Sequence, residues 1–347
     1  MDLHRLIWAL TNKCNLSCDF CYAMSSPNAE EGVSTEVALK FVDEINNSPT
    51  KHVSLVGGEP LLREDIEIIV RRFRPDITIS IGTNGILIDK KWSDYLTKRI
   101  LQVSIGLDGS PSINSMFRAQ TERVASNIRS LIKDGVRVAI PMLVNAKNYN
   151  TIDAAVKYVA SLGVSKIKIN KFIPVYGSQN AQDLSLSRHQ EITAISLMRK
   201  AIDENSELEK LLSYSGWYSP EYFKKLTKGR NKRSSCYCGV WSMAIAFDGS
   251  VVPCNVLTQR RVLDFFNSMN KYKILNIADG DIFNKISTND LFIEVIRAAV
   301  ALIPPGCSNC DRVDKCTHGC RIYAFLKTNN WEGHVPYCNY LLENNSI

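Results

Sequence analysis

The sequence predicts an α/β fold in which helices cover a parallel sheet, followed by a cysteine-rich region. From residue 5 to about residue 205 of the 347-residue chain, β-rich apolar runs alternate with helical patterns, and after Asp203 the alternation stops. The eleven cysteines fall into two groups, three near the N-terminus and eight in the last third. Alternating strands and helices are typical of a parallel sheet with helices outside, and ligands of such folds bind at the carboxyl ends of the strands.

Six apolar runs are predicted to be the strands of this sheet. Most are bounded by Gly, Pro, Asn or Asp, as strand ends tend to be. Between them apolar residues recur at helical spacing, as Val37, Phe41 and Ile45 do. Ser34 or Thr35 is expected to cap the first helix. The predicted strands are residues 6–10, 52–56, 77–81, 102–107, 136–144 and 166–173.

The elements after residue 205 follow a different pattern. Residues 206–235 predict one or two short helices broken at Pro220. A hairpin is expected over 243–253 because Asp248 and Gly249 form a typical turn pair, and a helix over 283–302. We therefore expect a first domain over 1–205, a helical linker over 206–235 and a cysteine-rich domain over 236–347.

Composition excludes several classes of protein. The chain is 45% hydrophobic and 22% charged, with a net charge of +7. No apolar run approaches the roughly 20 residues that a membrane span needs, and the start lacks a signal-peptide layout. We expect a cytoplasmic protein without membrane contact, in which reduced thiols and an odd cysteine count make a disulfide framework unexpected. No nucleic-acid module is evident, since aromatic residues do not interleave with the basic ones.

Much of the positive charge lies in the predicted linker. Its basic stretch forms either a solvated face or a docking surface for an acidic peptide, carrier or electron donor. The basic residues of this stretch are Lys224, Lys225, Lys228, Arg230, Lys232 and Arg233.

The first three cysteines lie on the loop that follows the first predicted strand. Cys14, Cys18 and Cys21 are spaced x3 and x2. Three thiolates can bind three irons of a cubane and leave the fourth open, whereas a four-cysteine site is closed. The alternative is a zinc site completed by a distant ligand.

Other strand-end residues favour the cubane. Phe20 completes a CxxxCxΦC pattern in which Φ is aromatic, and Gly-Gly-Glu-Pro follows the second strand. With these motifs the chain resembles the radical S-adenosylmethionine (radical SAM) enzymes. Glycines let backbone carbonyls face a ligand ammonium, and the Glu59 carboxylate can pair with it. By this resemblance the residues expected to contact S-adenosylmethionine are Phe20, Tyr22, Gly57, Gly58, Glu59, Pro60, Thr83, Asn84, Ser104 and Asp108. For the last four, simple strand-end capping is the alternative.

The resemblance implies a fold and a chemistry. The fold would be a partial (β/α)6 barrel. The cofactors would be a [4Fe–4S] cluster and S-adenosylmethionine, whose reductive cleavage gives a 5′-deoxyadenosyl radical that abstracts a substrate hydrogen. The protein then orients the reactants and excludes water, since the cofactor carries the difficult chemistry.

The eight later cysteines resemble a SPASM domain, which carries two auxiliary [4Fe–4S] clusters. By that resemblance Cys238, Cys254 and Cys320 bind the first auxiliary cluster, with Cys236 as fourth ligand. A zinc ribbon is the alternative for residues 307–320. The ligands implied for the second cluster are Cys307, Cys310, Cys316 and Cys338.

Two departures from that pattern affect the interpretation. Only Tyr237 separates Cys236 from Cys238, and in an extended strand their side chains would point to opposite faces. Either the segment turns sharply and both cysteines bind the cluster, or Cys236 is not a ligand and one iron of the cluster has no protein ligand. Asn255 stands where sulfatase-maturing relatives have an acidic base, and it takes no proton at neutral pH, so formylglycine formation is not expected.

Three functions are weighed on these motifs. The first is oxidative modification of a ribosomally synthesised peptide, because auxiliary clusters can receive an electron. The second is a radical dehydrogenase or epimerase acting on a sugar, aminocyclitol or cofactor precursor. The third is an electron carrier or zinc scaffold without radical chemistry. A flavodoxin- or ferredoxin-type electron donor is expected. Because Cys14 leaves no room for a preceding leader-binding domain, a separate leader-peptide-binding protein is also considered.

Overall fold

The computed structural model describes residues 3–174, 181–215, 217, 236, 238–300, 303–308 and 319–333. Within these residues the strands form one sheet in the order β10-β9-β8-β1-β2-β3-β4-β5-β6-β7. The strands are β1 (Arg5–Ala9), β2 (His52–Val56), β3 (Thr78–Thr83), β4 (Gln102–Ile105), β5 (Val138–Val144), β6 (Lys166–Lys171), β7 (Leu212–Ser215), β8 (Ser242–Ile245), β9 (Ser250–Val252) and β10 (Leu275–Asn276).

Helices connect the strands, and most of them pack on one face of the sheet. The helices over residues 260–268 and 321–328 instead pack with Ala244 in a second apolar cluster on the other face. Ser34 caps the first helix by accepting a hydrogen bond from the Val37 amide at 3.3 Å. The helices are α1 (Thr35–Asn46), α2 (Ile66–Arg72), α3 (Lys90–Arg99), α4 (Pro111–Asn114), α5 (Thr121–Lys133), α6 (Ile152–Ser161), α7 (Ala181–Leu184), α8 (Arg188–Glu204), α9 (Leu208–Leu211), α10 (Arg260–Ser268), α11 (Ile282–Lys285), α12 (Asp290–Val300) and α13 (Arg321–Thr328).

The predicted parallel sheet with outer helices is confirmed. All six predicted strands are present to within two residues at each end, and β1 to β7 pair in parallel. Alternate side chains, such as Leu6 and Trp8 of β1 or Ile167 and Ile169 of β6, are fully buried in the core against the helices. The intervening side chains line the opposite face, which is the lumen of the partial barrel.

Of the short helices expected over 206–235, the described residues contain one, Leu208–Leu211. Leu212–Ser215 is instead a seventh parallel strand, in which Leu212 pairs with Ile167 and Tyr214 with Ile169 of β6. Apolar residues alternate with serines in this segment, which is a strand period. Most of the predicted linker, including the basic stretch and Pro220, lies outside the described residues.

The C-terminal region is joined to the barrel through its hairpin. β8 and β9 pair antiparallel around Gly249, whose φ is +86°, as the turn pair predicts. β8 also pairs in parallel with β1, with Arg5 opposite Ser242. The helix expected over 283–302 is broken at Asn289, which accepts a hydrogen bond from the Phe292 amide at 3.3 Å at the start of α12.

Candidate functional site

The loop after β1 doubles back on itself and brings the first three cysteines together. The Cys21 amide donates to the Cys18 carbonyl at 2.9 Å, and the Cys14 amide donates to the Ser26 carbonyl at 3.1 Å. Cys14 is buried, and the other two cysteines are partly buried. Burial raises the pKa of Cys14 to about 11, with smaller increases from the charges of Glu59, Cys18 and Cys21.

This thiol set suits a cluster. Metal binding requires deprotonated thiolates, so loading must release protons from the buried Cys14 and from Cys18, whose pKa burial also raises. Among the residues that the structure describes, no three His, Cys, Asp or Glu side chains are gathered tightly enough for a single metal ion. In a cubane each thiolate binds a different iron, so the ligands stand further apart.

The glycine loop after β2 lies directly against the cysteine loop. The Gly58 amide donates to the Thr11 carbonyl and the Glu59 amide to the Lys13 carbonyl, both at 2.8 Å. A Cβ added at Gly57, whose φ is +141°, would lie 2.4 Å from the Thr11 oxygen, and one added at Gly58 would lie 2.2 Å from the Lys13 oxygen. Both glycines are therefore required for the close approach of the two loops.

The Glu59 carboxylate joins three loop segments. It is fully buried and accepts hydrogen bonds from the Leu61 amide at 3.0 Å, the Thr83 hydroxyl at 2.8 Å and the Asn84 amide at 2.7 Å. Burial raises its pKa to about 7, and the three hydrogen bonds offset only part of that increase. The next residue, Pro60, is also buried and begins a short 3₁₀ turn. Both carboxylate oxygens thus accept hydrogen bonds from protein groups. These bonds hold the end of β3 beside the glycine loop.

Asn84 connects β3 to the cysteine loop. Its side-chain amide donates to the Asn15 side-chain oxygen at 2.6 Å and to the Cys14 sulfur at 3.8 Å. Thr83 and Asn84 are both buried. A polar contact to the thiol sulfur places Asn84 next to the metal-ligating atoms that the sequence predicts.

The end of β4 carries Ser104 and Asp108, whose environments differ. Ser104 lies on the lumen face, level with Gly82 of β3. Asp108 is buried, and its two oxygens accept from the Leu143 amide at 2.7 Å and from Nε of Arg118 at 2.9 Å. Through these contacts Asp108 links the end of β4 to β5 and to Arg118.

Arg118 is a residue at this site that the sequence analysis missed. Its guanidinium lies over the Phe20 ring, 4.8 Å from the centroid, and packs so closely on Gly106 that an added Cβ would meet it at 2.8 Å. Its charge opposes the increase that burial causes in the pKa of Cys18. Arg118 follows Asp108 by ten residues without a motif, so only the fold shows that it reaches the cysteine loop.

Four of the later cysteines converge in the C-terminal region. The thiols of Cys236 and Cys254 hydrogen-bond to the thiol of Cys238 and raise the pKa of Cys238. Burial raises the pKa of Cys320 to about 12, and the charges of Cys254 and Cys236 add to that increase. Gly239, with a φ of +73°, turns the chain directly after Cys238. The closely spaced pair thus reaches one site together with Cys254 and Cys320.

The rest of the cysteine pattern is only partly described. Cys307 is partly buried at the end of a short 3₁₀ turn, Pro305–Cys307. Cys310, Cys316 and Cys338, expected to share its cluster, lie outside the described residues.

The Tyr22 phenol is under the electrostatic influence of both cysteine sites. Burial raises its pKa to about 12, and the charges of Cys21 and Cys254, one from each site, contribute to that increase. Arg260 and Glu30, 3.5 Å apart, form a further contact between the C-terminal region and the first cysteine loop.

Comparison with known proteins identifies the N-terminal part of this arrangement. Residues 8–159, which include the cysteine loop, the glycine loop and Asp108, match the family described as the radical SAM superfamily. Residues 8–159 are a radical SAM domain. The radical SAM superfamily implies a [4Fe–4S] cluster and S-adenosylmethionine as cofactors.

Relatives and solved structures extend the similarity to nearly the whole chain. It is 24% identical to PqqA peptide cyclase of Granulibacter bethesdensis, covering 96% of this chain and 86% of that protein. It is also 24% identical to AdoMet-dependent heme synthase of Methanosarcina barkeri, covering 97% and 96%. The structure of native anSMEcpe with bound AdoMet and Cp18Cys peptide superposes with a TM-score of 0.75 at 21% identity, covering 98% of this chain and 94% of that chain. The last comparison shows the same fold.

No helix in the described part of the chain is both long and apolar enough to cross a bilayer.

Proposed function

We propose that the chain oxidatively modifies a ribosomally synthesised peptide by radical chemistry. The observation that carries this proposal is the convergence of Cys236, Cys238, Cys254 and Cys320. Four thiolates at one place would bind an iron–sulfur cluster, and such a cluster could receive the electron that the substrate radical gives up. Likeness to a peptide cyclase and to an enzyme with bound peptide supports a peptide substrate.

The residues at the first site fit the implied cofactors. Cys14, Cys18 and Cys21 would bind three irons and leave the fourth for S-adenosylmethionine. When bound, these cofactors supply the radical that abstracts a substrate hydrogen. The proposed contacts of S-adenosylmethionine are Phe20, Tyr22, Gly57, Gly58, Glu59, Pro60, Thr83, Asn84, Ser104 and Asp108.

The protein's own contribution is to fix these groups in place. The hydrogen bonds of Glu59 hold the ends of β2 and β3 together, and Asn84 fixes the cysteine loop against them. Asp108 positions Arg118 over Phe20, so a cation lies beside the thiolates. Burial of these groups lowers the reorganisation that binding would otherwise require.

The C-terminal cysteines would bind two auxiliary [4Fe–4S] clusters. Cys236, Cys238, Cys254 and Cys320 would bind the first, and Tyr22 would lie between it and the S-adenosylmethionine cluster. A flavodoxin- or ferredoxin-type protein would supply the initial electron. A separate leader-peptide-binding protein would present the substrate. The proposed ligands of the second auxiliary cluster are Cys307, Cys310, Cys316 and Cys338.

A second candidate is radical chemistry on a small cofactor precursor. The heme synthase that matches nearly the whole chain favours it.

Anaerobic reconstitution tests the proposal. About twelve irons per chain and cleavage of S-adenosylmethionine to 5′-deoxyadenosine are expected. A count of about four irons would remove the auxiliary clusters, and cleavage that survives the Cys14→Ala/Cys18→Ala/Cys21→Ala variant would contradict the radical assignment. Turnover stimulated by candidate peptides, but not by porphyrins or sugars, separates the two substrate classes.

A further inference from the structure

The lumen face of the parallel strands is polar and carries positive charge. Arg5 of β1 lies opposite His52 of β2, which lies opposite Thr78 of β3, and Ser54 lies opposite Ser80. These side chains alternate with fully buried residues that face the helices, so they point into the barrel.

None of the seven strands from β1 to β7 contains an aspartate or glutamate, whereas they contain four cations. Lys171 bonds to both oxygens of Glu191 at 3.1 Å, and both side chains are more than nine-tenths buried. Arg5, Lys166 and Lys168 are exposed, and none of them forms an ion pair within the described residues. Within the described residues, these strands therefore present three cations that have no carboxylate partner.

Arg5 and Lys168 both lie on the lumen face, on strands that are not neighbours in the sheet. Four strands separate β1 from β6 in the sheet order, yet Arg5 is close enough to lower the pKa of Lys168. Burial is the largest cause of that decrease, followed by Arg5 and then Lys166. Lys168 is accessible to solvent, yet surrounding protein atoms lower its pKa. A side chain in an open concave surface has both properties.

A hydroxyl network beside these cations adds no charge that would cancel theirs. The Thr78 hydroxyl donates to the Lys51 carbonyl at 3.0 Å, so it accepts from Nδ1 of His52 at 2.8 Å. Nε2 of His52 is then an acceptor, and the hydroxyls of Ser54 and Ser80 each lie 3.2 Å from it and 3.0 Å from each other. Burial lowers the pKa of His52, and Arg5 lowers it further, so the ring is neutral.

The position of these cations relative to the cysteine loop sets what can reach them. Arg5 begins β1, and Ala9 ends it just before that loop. At about 3.3 Å per residue, Arg5 lies about 13 Å from the end of the strand. An extended peptide spans this distance in about four residues. A side chain about that many positions from the reacting residue of the substrate can therefore reach Arg5.

We propose that Arg5 and Lys168, with Lys166 beside them, form a lumen floor that binds a carboxylate of an acidic residue in the substrate peptide. This inference rests on the proposed function and names its substrate class. Two unpaired cations in a poorly solvated lumen repel each other, and a bound anion relieves that repulsion. A guanidinium also matches a carboxylate in a bidentate pair.

Peptide binding to the reconstituted holoenzyme with S-adenosylmethionine tests this. The probes are three dansyl-labelled, C-terminally amidated pentapeptides, Gly-Ser-X-Ser-Gly, in which X is Glu, Gln or phosphoserine, and the measurement is anaerobic fluorescence anisotropy. The Glu peptide is expected to bind about tenfold more tightly than the Gln peptide. That preference is expected to fall to about one in Arg5→Gln/Lys168→Gln and to remain in the matched control Lys200→Gln/Lys210→Gln, whose lysines are exposed on α8 and α9.

Equal affinity for the Glu and Gln peptides in the wild type, or an unchanged preference in Arg5→Gln/Lys168→Gln, overturns the inference. A stronger preference for phosphoserine overturns the carboxylate assignment and makes the floor a phosphate site. If the double variant does not fold, Lys168→Gln alone is expected to halve the logarithm of the preference. Failure of the proposed function is separate, because it appears as absent cleavage of S-adenosylmethionine while the Glu preference persists.

Discussion

The two cysteine sites of this enzyme are assembled in opposite ways. The first takes its three thiols from one short loop after β1, and that loop is fixed by backbone contacts to a pair of glycines. The second takes Cys236, Cys238, Cys254 and Cys320 from segments far apart in the chain. Its support is a separate apolar cluster in which Phe266 and Phe325 are stacked 5.5 Å apart. The first site depends on local geometry, and the second depends on tertiary packing.

The largest expected effect separates the sites by chemistry. Cys14→Ala should lower cleavage of S-adenosylmethionine more than about a thousandfold, because the site then lacks a ligand. Cys254→Ala should keep cleavage within a fewfold and lose about four irons. Iron content and 5′-deoxyadenosine yield measure both. Loss of cleavage in Cys254→Ala with the first cluster intact would show that the two sites are not independent.

The second-largest expected effect comes from a methyl group placed between the glycine loop and the cysteine loop. Gly58→Ala places a Cβ 2.2 Å from a backbone oxygen, so we expect a cost of about 4 kcal/mol in the free energy of unfolding and loss of the first cluster only. Gly82→Ala is the control, because its Cβ meets a Val56 methyl at 3.3 Å. Denaturant unfolding and iron counts distinguish them, and equal losses from both sites in Gly58→Ala would refute the local character of the first.

A buried ion pair gives the third test. Arg118→Gln leaves the buried Asp108 carboxylate unpaired and should lower the free energy of unfolding by about 3 kcal/mol. Arg123→Gln, on the exposed face of α5, should change it by less than about 0.5 kcal/mol. Addition of Asp108→Asn to Arg118→Gln should recover part of the loss, and a double variant less stable than Arg118→Gln would mean that the pair is not the cause.

The smallest effect is a pH dependence confined to the first site. Because the pKa of Glu59 is raised to about 7, its contribution to stability is complete below about pH 4.5 and is lost as the pH rises through 7. Between pH 6 and 8 the loss is about 1 kcal/mol. Glu59→Gln should lack this fall, whereas Glu64→Gln, at an exposed position, should keep it. Denaturant midpoints across this range measure it, and an identical slope in Glu59→Gln would assign the titration elsewhere.

The contrast between the sites also explains what the sequence could predict. Spacing and strand-end position were enough for the cysteine loop and for the six strands, because each signal lies within a short stretch. Arg118 and the cations of the lumen carry no local signal, since register and the curl of the sheet bring them together. The strand at Leu212–Ser215 was missed because its alternation of apolar residues and serines spans only four residues and directly follows a helix, Leu208–Leu211.

The parallel pairing of β8 with β1 has a consequence for synthesis on the ribosome. Arg5 is made well before its partner Ser242, which emerges only after the six intervening strand–helix repeats. At about 5–20 residues per second this edge of β1 stays unprotected for tens of seconds. Until then it can pair with other extended chains. The last third of the protein therefore covers the edge of β1 only late in synthesis. A chain truncated before residue 242 should aggregate instead of forming an isolated barrel.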